Sequence, residues 1–199
     1  TYRQYFQDYR SFLARPRQVC AELAPRTSSR RELFVVALDI KSFFDSIDRV
    51  ALVSELKRLE QEHVERRGLP EGLSSDKAFW DAAKRILRWR WLDAEHDQAD
   101  LIGGIDSKRV TLGLPQGLVA AGFLANAYLV RFDRAMQKRV QEAESLDASE
   151  GGLDIRIRDY CRYVDDMRIV IEARGGLTAK SSDSIKEWVE RAVGNWLAE

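Results

Sequence analysis

Residues 2–24 place Tyr5, Tyr9, Phe12 and Leu13 at helical spacing, and Pro25 with Thr27, Ser28 and Ser29 then breaks the period, which predicts a helix followed by a loop. Leu33-Phe34-Val35-Val36-Ala37-Leu38 is a short apolar run with β-branched and aromatic members, as a buried strand requires, and it delivers Asp39. From about Ile47 to Arg67, Val50, Val53, Leu56 and Leu59 recur every three residues between charged positions, so an amphipathic helix is expected, ended by Gly68-Leu69-Pro70. A second helix should start behind Asp76 as N-cap and reach Trp91, and Gly103-Gly104 within residues 100–112 signals a hairpin.

Leu114-Pro115-Gln116-Gly117 reads as a turn. Phe123, Leu124, Ala127, Tyr128, Phe132 and Met136 then trace one apolar helical face to about Val140. Ser145 to Gly152 is polar and predicts a loop. Leu153, Ile155 and Ile157 alternate with polar residues as a half-buried strand does, and Met167 to Ile171 gives a second strand. The two flank Asp165-Asp166, a hairpin tip without a glycine. Ser184 to Leu197 closes with an amphipathic helix carrying Ile185, Trp188, Val189, Ala192, Val193 and Trp196.

The 199 residues suit one domain able to bury a core, and 45% hydrophobic with 32% charged residues is globular composition. Lys and Arg balance Asp and Glu at 32 each, whereas a self-sufficient nucleic-acid binder carries a basic excess, so basic surfaces are expected on parts beyond this chain. Thr rather than Met at position 1 points the same way. Cys20 and Cys161 are too few for a disulfide framework and lack metal or redox spacing, which makes a reducing cytoplasm the default location. The longest apolar run, Leu118 to Val130, is broken by Asn126 and falls short of the roughly 20 residues of a membrane helix. No membrane contact is expected.

An aspartate at a strand end commonly only caps the next turn, and Asp39 alone carries that structural reading. Asp165-Asp166 is different, because adjacent carboxylates between apolar strands repel unless a cation lies between them. Mg²⁺ takes hard oxygen ligands, often one or two carboxylates with phosphate and water. Two such ions about 3.5 to 4 Å apart activate a 3′-hydroxyl and stabilise departing pyrophosphate. The chemistry requires strand 34–38 and the 163–169 hairpin to be neighbours, which puts Asp39 beside Asp165.

In order along the chain, Ala37-Leu38-Asp39-Ile40-Lys41-Ser42-Phe43-Phe44-Asp45-Ser46-Ile47, Leu114-Pro115-Gln116-Gly117 and Tyr163-Val164-Asp165-Asp166 resemble motifs A, B and C of reverse transcriptases. Leu124-Ala125-Asn126-Ala127-Tyr128-Leu129 and Arg162-Tyr163-Val164-Asp165-Asp166-Met167-Arg168 look like prokaryotic members, and Gln116 to Phe123 is most similar to the abortive-infection and defence-associated group, with retrons and group II introns next. The resemblance implies an α+β palm, an antiparallel sheet backed by helices with the 114–140 helix beneath it. Residues 1–199 would be this palm with part of the fingers, lacking the thumb and most of the fingers. It implies an RNA-directed DNA polymerase in which Asp39, Asp165 and Asp166 are catalytic and hold two Mg²⁺ ions, with Mn²⁺ as a substitute.

Phe44, five residues after Asp39, stands where the family places an aromatic gate against a 2′-hydroxyl; a core phenylalanine is the competing reading. Gln116 and Gly117 match nucleotide-pocket positions, the competing reading being an ordinary turn, and Ile40 joins that nucleotide-binding set. Ala121-Gly122 departs from the Ser-Pro of many relatives, which removes a hydroxyl contact. Implied partners are an RNA or DNA template-primer, deoxynucleoside triphosphates, and further domains or subunits supplying fingers and thumb, with oligomerisation left open. Synthesis that is protein-primed or untemplated, with antiviral defence as output, is implied by the defence group. A nucleotide cyclase and a catalytically silent palm acting as scaffold are the alternatives. Arg85, Arg88 and Arg90 with Trp89 and Trp91 read first as a packed helix face rather than a stacking surface.

Overall fold

The computed structural model describes residues 5–26, 31–70, 72, 76–88, 113–142, 145–148, 153–174 and 181–198. Its contacts divide the chain into two compact units, Thr1–Ile40 with Val130–Glu199, and Lys41–Leu129.

The first unit is built on β1 (Arg31–Asp39), β2 (Ser145–Ala148), β3 (Leu153–Tyr163) and β4 (Asp166–Arg174). They form an antiparallel sheet in the order β1-β4-β3-β2 among the described residues. The period of two sorts β4 into an apolar side, Met167, Ile169, Ile171 and Ala173, and a side bearing Asp166, Arg168, Val170 and Glu172. Opposite the apolar set stand Leu38, Val36 and Phe34 of β1 and Ile155 and Ile157 of β3. Ile155, Ile169 and Ile171 are fully buried, each such burial being worth about 1.5–3 kcal/mol.

Pairing jumps from Ile157 opposite Ile171 to Asp159 opposite Val170, so Arg158 is the extra residue of a β-bulge. Beyond it Tyr160 and Arg162 join the apolar side, while Asp159, Cys161 and Tyr163 turn to the other.

Helix α1 (Tyr5–Leu23) lies on that second side. Arg15 grips Asp159 with two hydrogen bonds of 3.0 and 2.8 Å, and Phe12 and Tyr9 hold the Tyr163 ring at 5.9 and 5.2 Å.

In the second unit, α2 (Phe43–Ser46) and α3 (Arg49–Arg67) follow β1, then α4 (Lys77–Leu87) and α5 (Ala121–Tyr128). The Asp48 carboxylate accepts from the Val50 and Ala51 N–H groups at 2.7 and 3.1 Å, and Gly68 at φ 61 ends α3. Asp76 caps α4 as expected, accepting from Phe79 N–H at 2.9 Å. Ile47, Leu52 and Ala125 are fully buried, and α3 packs on both α4 and α5.

The first unit resumes with α6 (Val130–Glu142) and ends with α7 (Ser181–Ala198). Ile185, Val189 and Val193 of α7 are buried, and Trp196 lies under the Arg139 guanidinium of α6 at 4.3 Å.

The α+β expectation agrees with these elements, and several details differ. The single helix expected to Val140 is two, with Leu129 at φ −92, ψ 3 between them; no proline or glycine marks the break. Its second half packs on β3 through Phe132 and Tyr160, whereas its first half packs on α3. Phe123, assigned to the apolar face, is exposed, as is Val50 of α3; Ala127 of that face is buried in α5 as expected, together with Ala121 and Ala125. Residues 145–148, expected as loop, are strand β2, because pairing with β3 satisfies a polar backbone segment that has no apolar alternation. Helix α4 stops at Leu87, and both Trp89–Trp91 and the hairpin expected in 100–112 lie outside the described residues.

Candidate active site

Strand β1 ends at Asp39, and the β1–β4 register sets Asp166 directly opposite it. Opposed residues of antiparallel strands share a face, so the two carboxylates leave the sheet on the same side. Asp165 sits one residue back in the turn, where its carbonyl accepts the Ile40 N–H at 3.3 Å. The strand and the hairpin are neighbours as the chemistry requires, but the residue opposite Asp39 is Asp166 rather than the expected Asp165, whose carbonyl is tied to the residue after Asp39. Asp39 is exposed, yet loss of some solvation at the strand end, then the charges of Asp165 and Asp166, hold its carboxyl above the usual carboxylate range. Arg168, two residues along β4, brings its guanidinium within 3.6 Å of Asp166 and lays it over the Phe12 ring at 5.2 Å.

Tyr163 pairs with Asp166, leaving Val164 and Asp165 as a two-residue turn. Val164 has φ 59, with Asp165 not positive, the pattern of a turn that normally carries glycine first. A β-branched residue there is strained.

Arg162 lies beneath this turn with 7% of its side chain exposed. Its Nε and one terminal nitrogen donate to the two Asp133 carboxylate oxygens at 2.9 and 2.6 Å, and the other terminal nitrogen donates to the Val164 carbonyl at 2.5 Å. Tyr160 adds its hydroxyl to Asp133 at 2.7 Å, and burial, then Asp133's charge, push that phenol far up. Burial works against the Arg162 charge, but Asp133 more than restores it. Sequence reasoning gave Arg162 and Asp133 no role. The available signal was a glycine-free tip; the side of the strand on which Arg162 lies is set by the bulge at Arg158.

The remaining site residues split between the units. Ile40 is half-buried beside Asp165 in the first. Phe44, Gln116 and Gly117 belong to the second. There Phe43, 4% exposed, fills the core, and Phe44 stays half-buried against it at 5.7 Å. The Phe44 carbonyl accepts the Leu114 N–H, and the Ile47 carbonyl accepts the Gly113 N–H, both at 2.8 Å, joining two segments far apart in sequence. Gly113 has φ 87 and packs so closely that a Cβ would stand 3.1 Å from the Phe44 oxygen and the Asp45 Cα. Gln116 and Gly117 are exposed, and Gly117 has φ 91 with open space around it.

No group of three His, Cys, Asp or Glu side chains among the described residues forms a ready cage for a cation. The donor chemistry of Asp39, Asp165 and Asp166 nonetheless fits Mg²⁺, which is usually held by one or two carboxylates with substrate phosphates and water completing its shell.

No helix among the described residues is long and apolar enough to cross a membrane. No curated protein matches the sequence. The family model described as "Reverse transcriptase (RNA-dependent DNA polymerase)" matches residues 5–194. With its carboxylate-bearing hairpin beside β1 and this match over nearly the whole sequence, the chain belongs to the reverse transcriptase family and is an RNA-directed DNA polymerase.

Proposed function

We propose that the chain adds deoxynucleotides to a DNA 3′ end by two-metal catalysis, with Asp39, Asp165 and Asp166 as the metal-holding catalytic residues. The observation that carries this reading is the register opposition of Asp39 and Asp166 beside a turn carrying Asp165. Bound divalent ions would supply charge neutralisation for the reacting phosphate. The protein's own part is to hold three mutually repelling oxygen donors on one strand-end cluster before the ions arrive, which lowers the reorganisation needed during reaction.

Phe44 is the proposed gate against ribonucleotides. Phe43 occupies the core, which leaves its half-buried neighbour available for another role. Gln116, Gly117 and Ile40 are the proposed nucleotide contacts; exposed side chain, open backbone and tether to Asp165 support them respectively. The template is RNA in this reading, and the resemblance of residues 116–123 to the defence-associated group supports a cytoplasmic antiphage role, including protein-primed or untemplated synthesis. Further domains or subunits complete the grip on nucleic acid, in keeping with the balanced charge of this chain.

Primer extension with Mg²⁺ on an RNA template, a DNA template and no template tests the reading. Incorporation on RNA is expected. Incorporation only without template would replace the templated reading, and none in any arm, with complementing domains present, would overturn it. Phe44→Ala should gain ribonucleotide incorporation; an unchanged sugar preference would remove the gate.

A further inference from the structure

Two features of the hairpin tip are unexplained by nucleotide chemistry: a valine in a left-handed conformation, and a desolvated arginine bonded to that valine's carbonyl. A residue in a sparsely populated conformation persists only where its surroundings over-determine it. Within the first unit, the Arg162 guanidinium connects the Val164 carbonyl of the turn to Asp133 of α6.

We infer that Arg162 is a positioning residue: its planar fork fastens the Val164 carbonyl to Asp133 of α6 and so holds the strained turn that aims Asp165 and Asp166. The inference rests on the reading of those carboxylates as the catalytic set.

The geometry needs an arginine. One edge of the guanidinium meets both oxygens of Asp133, and the remaining terminal nitrogen is left to reach Val164. An ammonium is a compact charge without that fixed fork, so lysine serves one partner at a time. Tyr160 shares Asp133, which fixes the carboxylate from the strand side as well. The anchor is therefore rigid at its base. With Arg162 7% exposed, water has little access to replace the bond to the turn.

The test compares wild type, Arg162→Lys, Val164→Gly and the double variant by three readings: Mn²⁺ affinity from the electron paramagnetic resonance of free ion, Mg²⁺-dependent primer extension, and melting temperature. Arg162→Lys should weaken Mn²⁺ binding and lower kcat by about tenfold each, with KM for the nucleotide unchanged. Glycine adopts positive φ without support. Val164→Gly in the lysine background should therefore recover most of the lost Mn²⁺ affinity and turnover, yet leave the melting temperature low because the tie to Asp133 stays broken. Asp133→Asn, which leaves the buried Arg162 charge without its partner and loosens the same anchor, should shift Mn²⁺ affinity in the same direction with a larger fall in melting temperature.

A purely structural Arg162 predicts that stability and activity fall together and that glycine rescues neither. That outcome, or an Arg162→Lys variant equal to wild type in Mn²⁺ affinity, overturns the inference while leaving the catalytic reading intact. A folded wild type that neither binds Mn²⁺ nor extends a primer overturns the catalytic reading, and the inference falls with it.

Discussion

Replacing Gly113 by alanine should destabilise the second unit by roughly 2–4 kcal/mol, through three causes visible in the structure. A side chain at φ 87 is in the left-handed region, which costs an L-residue about 1–2 kcal/mol. The new Cβ would meet the Asp45 Cα and Phe44 oxygen at 3.1 Å and the Asp45 oxygen at 3.2 Å, and all three are backbone atoms. Relieving that contact strains the Gly113–Ile47 and Leu114–Phe44 hydrogen bonds, each worth about 1 kcal/mol. For a chain of this length the loss corresponds to a fall of about 6–12 °C in the unfolding midpoint. Gly117→Ala is the internal control, because its φ of 91 carries the conformational cost but its surroundings are open. Thermal unfolding followed by far-ultraviolet circular dichroism should rank wild type above Gly117→Ala and Gly117→Ala above Gly113→Ala. Equal midpoints for the two alanine variants would refute the close-approach argument.

Glu172 is buried between Arg31 at 2.6 Å and Arg158 at 3.3 Å, so Glu172→Gln should cost roughly 2–4 kcal/mol in urea unfolding by removing the counter-charge they share and leaving Arg31 the more distant Asp154 carboxylate at 3.7 Å; a loss under about 0.5 kcal/mol would show the cluster to be solvated. Asp39 titrates above its unfolded value, so the ionised fold carries a penalty that disappears as pH falls through that raised value. Asp39→Asn should accordingly melt slightly higher than wild type at neutral pH in EDTA, with the gap closing in acid, and a variant that melts lower at neutral pH contradicts the sign. Burial, then the Asp159 charge, push the Cys161 thiol up to about 11, against the opposing charges of Arg15 and Arg168. Alkylation of Cys161 at pH 8 should be far slower in the folded chain than in urea, and equal rates would show that the thiol is open.

Apolar runs are legible because burial dictates them. Strand β1, the Asp76 start of α4, and the buried stripe of α7 all follow from period and capping chemistry. The break at Leu129 was hidden because the apolar period runs on through it and no proline or glycine marks it. Strand β2 was hidden for the opposite reason: a short edge segment gains its bonds from β3, not from its own alternation. At the site, three aspartates and two motif turns could be read from residue types and order. The bulge at Arg158 could not, and it decides which side Arg162 and Tyr163 face. Val164 and Arg162 became meaningful only together, since a positive φ and a carbonyl contact are backbone facts that no side-chain pattern records.

Steady-state primer extension with Asp39→Asn, Asp165→Asn and Asp166→Asn, each paired with Mn²⁺ titration and a melting curve, tests the central claim most directly. Asparagine keeps the shape of aspartate and removes its charge. Each variant should fold, bind Mn²⁺ more weakly than wild type, and lose on the order of 10³-fold in turnover, the scale of several kcal/mol of transition-state charge stabilisation. Folded variants that retain wild-type turnover and Mn²⁺ affinity would contradict the assignment of these three carboxylates as the catalytic centre.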